Sequence, residues 1–178
     1  MGCRKCAQRR AAEARARAQA EQARGKAKRE AAARALEVVS AWHRWGWKFI
    51  HRFTMALPPG TLSNTTLLHA RRVVQLFIEV LPCKDCQEHA TAFLAGGEAP
   101  RLGRVKTGQA LAFLLHELHN DVNRRTNKPQ PGLDVLQEYQ PVNLRNVHSE
   151  YVEAVKRDPP VPVAALSALD THLKALDL

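Results

Sequence analysis

The residues best suited to chemistry fall in two short runs, Leu81-Pro82-Cys83-Lys84-Asp85-Cys86-Gln87-Glu88-His89 and His119-Asn120-Asp121-Val122-Asn123. In the first, two thiols sit at a two-residue spacing behind a proline. At the start of a helix such a pair can close as a disulfide across the first turn and reopen. The unpaired N–H groups and the positive dipole end there stabilise a thiolate, the attacking species. His89 lies three residues beyond Cys86 on the same face, within reach of a thiolate or a ligand. In the second run His119 and Asn123 stand one turn apart, with Asn120 beside His119. Asparagine is a poor helix former, so two of them in mid-helix favour contact with a ligand or a partner. A redox dithiol together with a polar, ligand-holding face points to thiol oxidation with an organic cofactor.

A second pair, Cys3-Arg4-Lys5-Cys6, repeats the spacing, and these four are the only cysteines. A disulfide-stapled secreted domain spreads its cysteines to tie distant segments together. Here each has a close mate, which favours dithiol chemistry or metal binding. Two such pairs supply the four ligands of a zinc site, although the 76 residues between Cys6 and Cys83 far exceed the usual spacing. The competing reading is therefore a non-enzymatic helical binding module with structural zinc at the cysteines. Its basic arm would contact nucleic acid or a membrane. A thioredoxin-like site needs a strand before the motif, and a helical pattern precedes it here.

These groups have to be positioned by the rest of the chain. Residues 1–35 hold eleven Lys and Arg against three acids, so this arm carries +8 of the total +10. The high pI belongs to the arm. Residues 7–35 contain thirteen alanines and no Leu, Ile, Val or Phe, giving high helix propensity with no face to bury. We expect a solvated helical or flexible arm with a weak point at Gly25. No run approaches the length of a membrane-spanning helix.

The first element with a core face is expected from Leu36 to Leu57, with Val39, Trp42, Trp47, Ile50 and Phe53 at helical period, ended by Pro58-Pro59-Gly60. A second helix is expected over Thr65–Val80, capped by Ser63 or Asn64, and a third over Cys83–Leu94. A loop with Pro100 and Gly103 should lead to a fourth, Thr107–Thr126. Shorter helices are expected near Leu133–Tyr139, Ser149–Lys156 and Ala164–Ala175. No strand pattern or internal repeat is found. The predicted fold is all-α: an antiparallel four-helix bundle with an additional short helix and a flexible N-terminal helical arm. The organisation expected is an arm over 1–35, a domain over 36–140 and a helical extension over 141–178. Trp42 and Trp45 are read as packing or interface residues.

From Arg44 to Pro129 the chain resembles the Erv/ALR family of FAD-linked sulfhydryl oxidases. The resemblance rests on Trp47-Lys48-Phe49-Ile50-His51, on Pro82-Cys83-Lys84-Asp85-Cys86-Gln87-Glu88-His89, and on His119-Asn120-Asp121-Val122-Asn123 running to Lys128-Pro129. It implies FAD held in the bundle beside the dithiol, and a homodimer. It implies that Cys83 and Cys86 are catalytic, Cys86 proximal to the flavin and Cys83 distal. Arg44, Trp47, His51, His89, His119, Asn120, Val122, Asn123, Arg125 and Lys128 would bind the cofactor, with no metal ligands. The chain departs from the family at Leu81, where a Tyr is common, and at Leu114-Leu115-His116, where a Trp-x-Cys is common. The cysteine pair that staples many members is absent.

Cys3-Arg4-Lys5-Cys6 resembles the shuttle dithiol on flexible tails of several members. The resemblance implies that electrons pass from protein thiols through Cys3 and Cys6 to Cys83 and Cys86. From there they pass to FAD and then to molecular oxygen, giving hydrogen peroxide, or to a cytochrome. The basic arm would be the tether, and it has the charge to contact anionic surfaces. Met1-Gly2-Cys3 also has features of an acylated N-terminus, and the arm's Arg and Ala richness those of a mitochondrial presequence. The resemblance implies either the mitochondrial intermembrane space or, for a virus-encoded chain, the host cytoplasm or virion.

Overall fold

The computed structural model describes residues 4–97, 99–157 and 161–178. The chain forms two units, Met1–Ser40 and Ala41–Leu178. The first is the leading part of helix α1 (Arg4–Ala56). The helix passes through Gly25 without a break, and it is continuous with the element expected to begin at Leu36. A glycine costs only about 1 kcal/mol against alanine in a helix interior, and the alanines, lysines and arginines around it offset that. Its described side chains are almost all exposed. They are tied only by surface ion pairs such as Arg9–Glu13 at 3.2 Å and Lys26–Glu30 at 3.9 Å.

The second unit contains residues 41–56 of α1, then α2 (Asn64–Glu79), α3 (Lys84–Ala95), α4 (Arg101–Arg104) and α5 (Gly108–Arg125). A 3-10 helix over Leu133–Tyr139, α6 (Leu144–Lys156) and α7 (Val163–Lys174) complete it. The expected all-α bundle is what the structure shows. Among the described residues the only strand-like pairing is an isolated bridge between Thr61 and Thr107.

The helix starts follow their caps. Ser63 Oγ accepts from Thr66 N at 3.1 Å, and Thr107 Oγ1 accepts from Ala110 N at 3.0 Å. Two boundaries differ from expectation. Residues Arg101–Arg104, expected as loop, make one helical turn, with Leu102 buried. From α2, Arg71 donates to the carbonyls of Gly103 and Val105 at 2.9 and 2.8 Å. Helix α6 starts at Leu144 rather than Ser149 because Asn143 caps it, accepting from Asn146 N at 3.0 Å. That start adds Leu144 and Val147 to the buried face that ends in Ala154 and Val155.

The core gathers around Phe49 of α1, which stacks on Tyr151 of α6 with centroids 5.4 Å apart and an interplanar angle of 10°. Phe77 of α2 packs on both, 6.2 Å from Phe49 and 5.4 Å from Tyr151. Gly46 allows this approach, since a Cβ there would lie 3.2 Å from Tyr151 Cε2. Helix α7 packs along α2, burying Leu166, Leu169 and Leu173. At that junction His69 Nδ1 and His172 Nδ1 are 2.8 Å apart. Residues 141–178 thus supply two helices to the core of this unit.

Candidate active site: a dithiol at the wall of an apolar cavity

Cys83 is the N-cap of α3. Its Sγ accepts from Cys86 N at 3.2 Å, and the two cysteines form a disulfide. Pro82 and the turn after α2 bring the chain into this cap. Gln87 then clamps it, donating from Nε2 to the carbonyls of Leu81 at 2.7 Å and Glu79 at 3.0 Å. The dithiol therefore sits where a helix N-terminus lowers the energy of a thiolate.

Cys86 lines a cavity of about 310 Å³. Trp42, His43, Gly46 and Trp47 of α1 form one wall, with Phe77 and Leu81 beside them. Helix α3 contributes Cys86, His89 and Ala90, and α5 contributes Leu118, Val122 and Arg125. The lining is mostly apolar, with polar groups at few points, as in sites for flat organic ligands. One of them is unsatisfied: Trp42 Nε1 is buried and has no hydrogen-bond partner.

Behind Trp47 lies an imidazole cluster. His119 stacks on Trp47 with centroids 3.9 Å apart and planes 4° from parallel. His51 Nε2 is 2.9 Å from His119 Nδ1. Burial is the first cause that pushes His51 down to about 3 and His119 down to about 4. The charges of neighbouring His116 and, for His119, Lys128 add to it. Both rings are neutral at pH 7, so one N–H donates to the other ring's lone pair. His51 Nδ1 is left buried without a partner. Asp85 also lines the cavity, and Asp121 of α5 stands behind His89, with Oδ2 2.7 Å from His89 Nε2 and Oδ1 accepting from Arg124 Nη1 at 2.7 Å.

Of the residues picked from sequence, Trp47, Cys86, His89, Val122 and Arg125 meet at this cavity. Cys83 joins through the disulfide, and His51 and His119 back the Trp47 wall. The others are placed elsewhere. Arg44 is exposed with its guanidinium 5.5 Å from the Trp45 ring centroid. Asn120 points to the opposite side of α5, donating to Pro131 O at 2.9 Å. Asn123 is buried, and its carbonyl accepts from Lys128 N at 2.8 Å. Lys128 is exposed, and its charge acts on His43 and His119. Cys3 and the side chain of Cys6 lie outside the described residues. Among the described residues no group of three or more His, Cys, Asp or Glu side chains is gathered as for a metal ion.

Sequence reading missed Trp42, His43 and Gly46 as cavity residues. Helical period held the signal, because positions 42, 43, 46 and 47 share one face of α1. It also missed Asp121 as the partner of His89, which lies on another helix and left no trace in the sequence.

A sequence model described as the Erv1 / Alr family matches residues 44–141. A protein of Invertebrate iridescent virus 3, whose name calls it an FAD-linked sulfhydryl oxidase, is 36% identical over 93 residues, covering 48% of this chain and 58% of that protein. The chain thus spans a little over half the length of this relative. No solved structure matches.

Proposed function

This chain belongs to the Erv1 / Alr family, and from that premise we propose that it is an FAD-dependent sulfhydryl oxidase that makes disulfide bonds in protein thiols. The observation that carries the reading is the contact of a helix-capping disulfide with an aromatic-walled cavity: Cys86 and Trp47 both line it. The residues fit a flavin. The ring system is a flat plate with acceptor atoms at its edge. The cavity offers a mostly apolar lining with aromatic walls, and the orphaned Trp42 Nε1–H requires an acceptor that no described residue supplies. Arg125 at the wall and Lys128 nearby carry the charge to meet a diphosphate.

When bound, FAD supplies a two-electron acceptor. The protein's part is to present one sulfur to it and the other to substrate. Cys83, at the cap, exchanges with an incoming thiol and Cys86 faces the cavity. Electrons reach this pair from Cys3 and Cys6 on the basic arm and finally reduce molecular oxygen to hydrogen peroxide. We propose a homodimer as the assembly.

The test is an absorption spectrum of the purified chain before and after dithiothreitol under nitrogen. A flavin spectrum that bleaches with dithiol and returns in air supports the reading. A colourless protein, or a flavin that dithiol leaves oxidised, overturns it.

A further inference from the structure

We propose, resting on the dithiol–flavin reading above, that His89 is the base that takes the thiol proton of Cys86, and that Asp121 is the positioning residue that sets it for this task. His89 lies one turn beyond Cys86 on α3, and both line the same cavity. From α5, Asp121 Oδ2 meets His89 Nε2 at 2.7 Å, while Asp121 Oδ1 accepts from Arg124 Nη1 at 2.7 Å. The His89 and Asp121 side chains are only 17% and 24% exposed, so solvent weakens the pair less than a surface ion pair.

The chemistry follows from the donor inventory. Hydrogen bonding from His89, then its charge and that of Arg124, hold Asp121 below the usual carboxylate range. An ionised carboxylate only accepts, so the hydrogen of this bond sits on His89 Nε2. In the neutral ring Nδ1 is then the basic atom. Among the described residues Nδ1 has no hydrogen-bond partner.

In the reduced protein the S–H bond of Cys86 breaks, its proton moves to His89 Nδ1, and the electron pair stays on sulfur as thiolate. The imidazolium so formed faces Asp121. When the S–S bond closes, the dithiol has lost two electrons and two protons. A bound flavin would be the two-electron acceptor; one proton is held on His89 and the other passes to water. A carboxylate behind an imidazole fixes its tautomer and orientation and steadies the charge it gains.

The other charges around His89 do not substitute for this pair. His43 shares the cavity lining from α1, where burial, then the charge of Lys128, lowers its pKa. Arg125 and Arg124 of α5 and Arg101 of α4 stay cationic throughout. Asp85 and Glu88 share helix α3 with His89, and Lys84 pairs with Glu88 at 3.8 Å. Arg72 and Glu79 of α2 pair with each other at 3.8 Å.

The test reads the thiol without the cofactor. In the full chain carrying Cys3→Ser, Cys6→Ser and Cys83→Ser, Cys86 is the sole thiol, and its alkylation by iodoacetamide is followed against pH. We expect Asp121→Asn to slow alkylation at pH 7 about tenfold and to move the thiolate limb up by about one pH unit. Asp121→Glu should restore most of the loss, and His89→Gln should match or exceed it. An unchanged limb in a folded Asp121→Asn protein overturns the proposal, leaving the pair as a pin between α3 and α5. Should Asp121→Asn not fold, the His89→Gln limb decides in the same way. The outcome is separable from the oxidase reading: a protein that never bleaches with dithiol loses that reading, whereas one that bleaches with an unmoved limb loses only this inference.

Discussion

His119 lies flat against Trp47, with ring centroids 3.9 Å apart and planes 4° from parallel, and this stack joins α5 to α1 beside the dithiol cavity. The edge of the same imidazole meets buried His51 at 2.9 Å. With both rings neutral, one N–H is shared between them, and the first two of four predictions start from this neighbourhood.

The first concerns acid. His51 is held at about 3 and His119 at about 4 in the folded chain, against an unfolded value near 6.5. The unfolded chain therefore binds more protons below that value, so stability falls as pH drops from about 6.5 toward 4. Thermal melts should show Tm constant above pH 7 and decreasing steadily from pH 6.5 to 4.5. His51→Gln should flatten that decrease even though it lowers Tm at pH 7.

Trp47 is the next test. Its ring is at once a cavity wall and the partner of His119. Trp47→Ala should cost about 2–3 kcal/mol, less than for a fully buried aromatic because Trp47 is half-buried. It should also lower the flavin-to-protein ratio of the purified chain several-fold. Trp47→Phe, which keeps a flat ring, should keep most of the flavin. Equal flavin content in all three proteins would remove Trp47 from the cofactor site.

Cys86→Ser and Cys83→Ser should both abolish dithiol oxidation in an oxygen-consumption assay, because either removes the disulfide. Flavin content should be retained in both, since the aromatic walls are untouched. Replacing Cys3 and Cys6 together should slow protein substrates more than dithiothreitol, which needs no carrier arm.

Gly108 opens α5 against the turn after α1, where a Cβ would lie 2.1 Å from Pro58 O. The backbones clasp there, with Leu62 N donating to Lys106 O at 3.0 Å and Gly108 N to Gly60 O at 3.3 Å. Gly108→Ala would gain helix propensity but force this clasp apart. We expect a net loss of about 2–3 kcal/mol in urea unfolding. Gly25→Ala, with nothing within 4 Å of the added carbon, should be neutral or slightly stabilising.

The bundle, the cap at Ser63 and the dithiol that opens α3 were legible because each is local: a cap or a period is written in adjacent residues. The cavity was legible only in part. Asn120 follows His119 in sequence, yet one residue turns a helix by about 100°, and Asn120 bonds to Pro131 on the far side. Arg44 drew attention through its place in a motif, while its neighbour His43 faces the cavity. The Asp121–His89 pair joins residues 32 apart on two helices, and no pattern within either helix announces it. The start of α6 was missed because its cap, Asn143, lies in a stretch with weak apolar period.

Helix α7 lies along α2, outside residues 44–141, where the family is recognised. The span over which the family is recognised is therefore shorter than the span that shares a core. Leu166, Leu169 and Leu173 of α7 are buried where it packs on α2, so a fragment cut at the limit of recognisable kinship would expose an apolar face of the helix that leads into Cys83. Kinship ends where residue patterns cease to be recognised, while the scaffold that completes the fold is drawn from further along the chain.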